Sequence, residues 1–456
     1  MSAFAQNSAE IIEYNSQNAK STIIREVAYP STITCQNTDE NSVLFVYADA
    51  SLTTKEFLLT YNNLVVHDMS VLRKDTVVFC GDAFVNGALR GVVGYFKISD
   101  MLAGSVTVKI QNNFLTGSDC YTVRTLKRMT SYSSTNGIRH IVCVGSCVGE
   151  TDSTIYPCIV NVNGFDFFTS GYESGYINNT QETFEDIALV ESPMGTSYIV
   201  TAGFDLAYGR YMCFRIYNSD NIFSAVNNIQ DTLRLLRVDP SSVRKWLDEG
   251  LSLSRTARGG FATTSFRHNN SNTNYRDANI HIGTYLVDDV LRGRYSIMDN
   301  SMEIPLLQTG GRHMKDLLYS SKAKYLVFLH ESTSLSTGIT GSYYCEMPEG
   351  SLPVATSFNV LNIPDIEMHS LSLYNTMLKY IWSGFERATP HKSAQGMDTY
   401  GFNLPCANKT IYNPTHYDVL SITKRYSAFD FIYGIYVYST KENGVEENAI
   451  QIKCLQ

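Results

Sequence analysis

An apolar run ended by glycine, a polar turn and a second apolar run make up DTVVFCGDAFVNGALRGVVGYFKI, residues 75–98, and the form recurs down the chain. Aligned on the residue that ends the run, the anchors are Gly81, Gly145, Gly203, Gly283, His330, Gly384 and Gly434. Their mean spacing is (434 − 81)/6, about 59 residues. Most anchors follow another short run, such as LVVHDMSV, YTVRTLKRM, FEDIALVE or IEMHSLSL, and precede a third, such as RGVVGYFKI or YMCFRIY. Several short strands per unit, joined by polar turns at this period, predict an all-β fold in which each unit is one blade of a β-propeller. A blade cannot bury both faces alone, so like neighbours must close into a ring. The spacing predicts seven blades, with six and eight as the adjacent counts. Residues 31–63, STITCQNTDENSVLFVYADASLTTKEFLLTYNN, share the run-turn-run form and are read as completing the last blade. Residues 21–456 then form a single propeller domain, and residues 1–20 lie outside it.

The interval from Gly203 to Gly283 is 80 residues, which predicts an insertion near 230–258. Within it, DPSSVRKWLDEGLSL carries Pro240, a Ser241 or Ser242 cap and Gly250 near its end. Val243, Trp246 and Leu247 fall at i, i+3 and i+4, so a short helix is predicted there. Arg234, Arg237, Arg244, Arg255 and Arg258 form the one notable basic cluster.

Only 18% of residues are charged, while Tyr (30) and Phe (22) are abundant, a balance suited to pleated surfaces. The net charge of −8 is spread along the chain without a basic stripe, which excludes nucleic acid as a partner class. No apolar run approaches the ~18 residues of a membrane-spanning helix. Ala3-Phe4-Ala5 has the small-x-small form of a signal-peptidase site, so residues 1–20 are either an export-signal remnant or a disordered N-terminus. Ten cysteines is an even number, consistent with an oxidising compartment: secreted, periplasmic or cell-surface. Candidate disulfides are Cys147 with Cys158, which flank a hairpin loop, and Cys35 with Cys454, from the first and last strand-like runs. Cys80 and Cys143 sit inside apolar runs and read as buried thiols. With no CxxC pair, no zinc site is indicated, and no cofactor motif is present.

Nucleophile elbows, phosphate loops and zincin helices are likewise missing. One constellation carries chemistry. Where each unit's first run begins, the residues are polar: His67 and Asp68, Arg124, Glu185 and Asp186, His313 with Lys315 and Asp316, Glu367 and His369, His416 and Asp418. First strands line the axis of a propeller, so ring closure gathers these residues at one channel mouth. A recurrent Asp at one place suits bonding to backbone N–H groups of its own or the adjacent blade. The other reading is a ligand site for a glycan or a cation, and His with carboxylates also suits acid/base chemistry.

Asp68-Met69, Phe79-Cys80-Gly81, Gly94-Tyr95-Phe96, Gly145-Ser146-Cys147 and Phe184-Glu185-Asp186 follow in an order that resembles uncharacterised secreted propeller-like proteins of Bacteroidetes. The resemblance covers the first half of the chain and implies export and a propeller, without an activity. The sequence therefore predicts an exported binding or interaction module for a glycan or protein partner at the channel mouth. The alternative is a glycan-active enzyme, hydrolase or lyase, using the same His and carboxylate residues.

Overall fold

The computed structural model describes residues 19–28, 31–38, 42–49, 54–116, 121–133, 139–149, 153–163, 171–178, 180–205, 211–222, 234–238, 245–268, 278–294, 301–305, 309–320, 325–334, 340–348, 359–362, 366–374, 379–386, 393–399, 417–428, 431–442 and 445–454. Seven antiparallel sheets follow one another along the chain as blades 1 to 7: residues 19–60, 65–111, 115–176, 186–238, 245–305, 309–362 and 366–399. Their innermost strands are Ala19–Ala28, Val65–Leu72, Tyr121–Ser133, Asp186–Glu191, Lys245–Arg255, Thr309–Ser320 and Ile366–Tyr374. Each packs on the next, and the innermost strand of blade 7 packs on that of blade 1, which closes the ring. The fold is an all-β propeller.

Closure differs from the sequence reading. Residues 31–60 do not complete the last blade; they join Ala19–Ala28 in a four-stranded blade of their own. Gly434 belongs to a further three-stranded sheet, Tyr417–Ala428, Phe431–Glu442 and Val445–Cys454. The ring instead joins blade 7 to blade 1. Thr22 Oγ1 donates to Ser383 Oγ at 3.0 Å, Arg25 Nη1 to Ser370 Oγ at 3.0 Å, and Ile24 packs on Ile381. No strand is shared between the ends of the ring, because every blade is built from consecutive strands.

Apolar faces between blades form the core. Blades 1 and 2 bury Ile33, Phe45, Phe79 and Phe96 against each other, with the Phe45 and Phe96 rings edge-on at 4.8 Å. Cys80, Val93, Leu126 and Cys143 fill the seam of blades 2 and 3, and Phe204, Phe214, Phe261 and Tyr285 that of blades 4 and 5.

The anchor glycine marks a close approach of two strands. A Cβ on Gly81, Gly145, Gly203 or Gly384 would lie 1.9, 1.8, 1.8 or 2.2 Å from the carbonyl oxygen of Val65, Thr125, Thr183 or Glu367. In blades 2, 3 and 7 the innermost strand carries a β-bulge beside this point, and only glycine leaves room for the displaced backbone. Gly283 does another job. It lies in the third strand of blade 5, Ala278–Leu286, where an added Cβ would meet the Tyr285 ring. The residue at the anchor register is Ser265, paired with Leu251. Ser265 comes 62 residues after Gly203 and 65 before His330, so the 80-residue interval holds no insertion (265 − 203; 330 − 265).

The described part of the predicted helix is a strand instead. Lys245–Arg255 is the innermost strand of blade 5, with a bulge between Trp246 and Leu251. Three residues at helical spacing lose to the alternation Leu251-Ser252-Leu253-Ser254, which the neighbouring sheets require. The short α-helices lie elsewhere, at Ile98–Ala103 and Val287–Leu291. Among the described residues no helix is long and apolar enough to cross a membrane. The candidate export segment, Ala3-Phe4-Ala5, lies outside the described residues.

Neither disulfide forms. Cys147 pairs with Tyr156 and Cys158 with Gly145, so the two cysteines are offset by two residues rather than opposed. Both are buried free thiols, as is Cys35 in blade 1, while Cys454 ends the last sheet.

Candidate functional site: the channel and its mouth

The innermost strands repeat a short pattern: Val66-His67-Asp68-Met69, Leu126-Lys127-Arg128-Met129, Phe184-Glu185-Asp186-Ile187, Met314-Lys315-Asp316-Leu317 and Met368-His369-Ser370-Leu371. The apolar ends pack between blades. The third residue reaches the axis, and the second lies one step nearer the mouth.

Three aspartates at the axial position are staples. Oδ1 of Asp68, Asp186 and Asp316 accepts from the next N–H of its own strand, at 2.8, 2.8 and 2.9 Å. Oδ2 accepts from the following blade: from Met129 at 3.0 Å, Leu253 at 2.7 Å and Leu371 at 2.8 Å. They join blades 2 to 3, 4 to 5, and 6 to 7. Because the acceptors contact equivalent positions, adjacent innermost strands run the same way, and all of them begin on one face of the ring.

Two arginines complete the axis. Arg25 of blade 1 donates from Nη2 to Asp68 Oδ1 at 2.7 Å, from Nε to the Met69 carbonyl at 2.7 Å and from Nη1 to the Leu371 carbonyl at 3.3 Å. It thereby ties blades 2 and 7 to blade 1. Arg128 of blade 3 reaches across the ring to the Lys315 carbonyl of blade 6 at 2.9 Å. The channel is crossed by side chains. Burial disfavours the Arg128 charge, but Asp186, Asp68 and Asp316 outweigh it and raise its pKa above the ordinary arginine range. Burial pushes Asp186 up to about 7, against the lowering effects of Arg128 and the Leu253 and Ile187 N–H groups. Asp316 is raised by burial too, with Arg128 and Arg25 opposing.

One layer nearer the mouth the side chains pair. His67 Nε2 lies 2.6 Å from Asp82 Oδ2 in blade 2. Lys127 of blade 3 donates to both Glu185 oxygens of blade 4, at 2.9 and 2.8 Å. Lys315 of blade 6 lies 3.5 Å from Glu331 of its own blade and 3.5 Å from Glu367 of blade 7. Glu367 also meets His369 Nε2 at 3.0 Å. Burial lowers the His369 pKa, partly offset by Glu367 and reinforced by Lys315, so the imidazole is neutral at pH 7. Four ionisable groups from two blades thus converge.

Of the sequence candidates, Asp68, Asp186 and Asp316 lie in the channel as staples, and His67 and His369 lie at its mouth. Arg124 is exposed beside a bulge at the start of the blade 3 strand and joins no cluster. His313 pairs with Glu331 between two bulges of the blade 6 strand, and its side chain is outside the described residues. His416 is also outside them. Asp418 begins the last sheet, not a blade of the closed ring. Sequence reasoning missed Arg25, Arg128, Lys127, Asp82 and Glu331. Arg128 and Lys127 were legible as the third and second residues of Leu126-Lys127-Arg128-Met129; Arg25, Asp82 and Glu331 carried no such signal. No group of three or more His, Cys, Asp or Glu among the described residues could hold a metal ion.

No protein-family model and no curated protein matches this sequence. Among solved structures, the chain resembles the polysaccharide lyase Uly1 at 6% identity and a TM-score of 0.50, over 84% of this chain and 90% of that one. An α-L-arabinanase of Penicillium chrysogenum complexed with arabinobiose is 12% identical at a TM-score of 0.40, over 75% of this chain and 98% of that one. The β-propeller domain of the Trilobed protease from Pyrococcus furiosus is 9% identical at 0.37, over 85% and 93%. At these identities the likeness is one of fold.

Proposed function

We propose that this propeller is an exported glycan-binding module that holds a polar sugar chain across the channel mouth. The observation that carries the reading is the convergence of Lys315, Glu331, Glu367 and His369 above a channel closed by Arg25 and Arg128. Carboxylates, an ammonium and a neutral imidazole offer donors and acceptors in the density that sugar hydroxyls require. One ammonium faces two carboxylates and a neutral imidazole, and this negative balance favours an uncharged glycan over a polyanion. The propeller it shares with a polysaccharide lyase is a fold that hosts glycan chemistry, and a fold transfers no activity.

A second reading is catalysis at the same place. Neutral His369, 3.0 Å from Glu367, is placed to accept a proton, and Lys315 could stabilise developing negative charge. Calorimetric titration with cello-, xylo-, manno- and arabino-oligosaccharides tests binding. The same mixtures, followed for reducing ends and for unsaturated products, separate a hydrolase, a lyase and a non-catalytic binder. Binding that survives unchanged in Glu367→Gln and Lys315→Met would remove both readings.

A further inference from the structure

The mouth face of blade 2 carries an apolar surface that the core does not use. Val65, Phe84 and Leu89 are 37%, 51% and 37% exposed, although they lie in regular strands. Val65 pairs with Asp82, and Phe84 with Leu89. Asp82 and Phe84 are two residues apart in one strand, so all four share a face. That face turns toward blade 3, because a Cβ on Gly91, the partner of Asp82 in the third strand, would lie 2.7 Å from Val123 Cγ1. The hairpin closes through Asn86 and Gly87 at φ 50° and 79°, the two left-handed residues of a tight hairpin turn, and the Phe84 N–H is held by the Asn62 carbonyl at 2.7 Å. Beside the ring stands the His67–Asp82 pair, at 2.6 Å and only part-buried.

Resting on the mouth reading above, we propose that this hairpin is a sugar subsite. The C–H face of one pyranose stacks on Phe84 between Leu89 and Val65, and its hydroxyls bond to Asp82 and His67. A flat aromatic flanked by aliphatic groups, with a carboxylate–imidazole pair at its edge, matches the two-sided chemistry of a sugar ring. A protein partner would use the same apolar area but would leave the His67–Asp82 pair without a role. The subsite lies on the same face as the Lys315–Glu331–Glu367–His369 cluster, separated from it by blade 1. The occupant is therefore a neutral oligosaccharide long enough to span both.

Isothermal titration with the oligosaccharide panel, at short and long chain lengths, tests this. Phe84→Ala is expected to weaken the long chains about tenfold, or ~1.4 kcal/mol, while the unfolding temperature is unchanged. Phe84→Tyr retains affinity, and the shortest chains show no effect of either change. If Glu367→Gln abolishes binding and Phe84→Ala does not, the subsite is overturned and the mouth reading stands. If Phe84→Ala weakens binding and Glu367→Gln does not, the subsite stands and the blade 6–7 cluster loses its role. No binding to any member of the panel overturns both. Self-association lost in Phe84→Ala, with glycan affinity unchanged, assigns the surface to protein contact and overturns the subsite.

Discussion

Replacing Asp68 with alanine measures how much one axial staple contributes to ring closure. Asp68 is 5% exposed and accepts three hydrogen bonds, from the N–H groups of Met69 and Met129 and from Arg25. The alanine leaves two buried backbone donors without acceptors, at ~1–3 kcal/mol each. Arg25 is less affected, because it keeps the carbonyls of Ile24, Met69 and Leu371 and the Ser370 hydroxyl. The expected loss is ~3–6 kcal/mol. For a ring of ~400 residues, at ~2.1 cal/mol/K per residue, that corresponds to a fall of about 4–7 °C in the unfolding temperature. Asp68→Asn keeps one acceptor oxygen but turns an amide N–H₂ toward a backbone N–H, so it should lose roughly half as much. Asp75→Ala is the control: its carboxylate holds the Ser99 N–H and hydroxyl on the surface, and its loss should stay below ~1 kcal/mol. Guanidinium titration and scanning calorimetry on the three variants give the comparison. If Asp68→Ala unfolds within ~1 kcal/mol of the wild type, the carboxylate does not couple blades 2 and 3.

Asp186 predicts a pH dependence of defined sign. Its pKa is 3.8 ordinarily and about 7 when folded, so the folded chain binds this proton more tightly than the unfolded one. The contribution is full below about pH 4, is lost as pH rises to about 7, and is worth up to ~4 kcal/mol. His330, lowered to about 3 by burial, acts the other way and loses its contribution as pH falls below 6.5. Denaturation midpoints of wild type and Asp186→Asn across this range isolate the aspartate; parallel curves refute the assignment. Gly145→Ala should destabilise by more than ~3 kcal/mol, since its Cβ would meet backbone, the Thr125 oxygen, at 1.8 Å. Gly87→Ala meets nothing within 4 Å and loses only its favourable positive φ, so it should cost ~1 kcal/mol by the same denaturation assay.

The all-β class and the ring were legible because run-turn-run units repeat at the spacing of propeller blades, whereas the seven units counted included Gly434, which lies outside the ring, and left out the blade at residues 19–60. The axial aspartates were legible as a recurrent letter, and so was their staple role as one of two readings. Arg25, and the reach of Arg128 across the ring, were not. Their partners lie 43 and 187 residues away, at Asp68 and Lys315, and become neighbours only when the ring closes. Ser265 escaped because the anchor there is not glycine, and the search moved one strand on to Gly283. Lys245–Arg255 read as a helix because three apolar residues at helical spacing say nothing of the sheets on either side. His416 and Asp418 were assigned by pattern alone, and the pattern cannot tell a blade from the sheet that follows the ring.

The charges along the axis explain why any ligand must be sought outside it. Three carboxylates, Asp68, Asp186 and Asp316, face two guanidiniums, Arg25 and Arg128, leaving one uncompensated negative charge in a region nearly closed to water. Such a charge is costly, and a group in that position relieves it by taking a proton. Asp68 has Arg25 at 2.7 Å. Asp186 has two backbone donors and only a shared claim on Arg128, and burial raises its pKa to about 7, while Asp316 is raised as well. With that proton the axis is neutral and every oxygen of the three side chains accepts a backbone N–H, so a passing ion or sugar would have to compete with bonds that hold the blades together. Recognition then falls to the next layer, where Glu367 is shared between Lys315 and His369 and where Phe84 stands exposed beside Asp82. The sealed channel is what turns the mouth into a floor on which a ligand can lie.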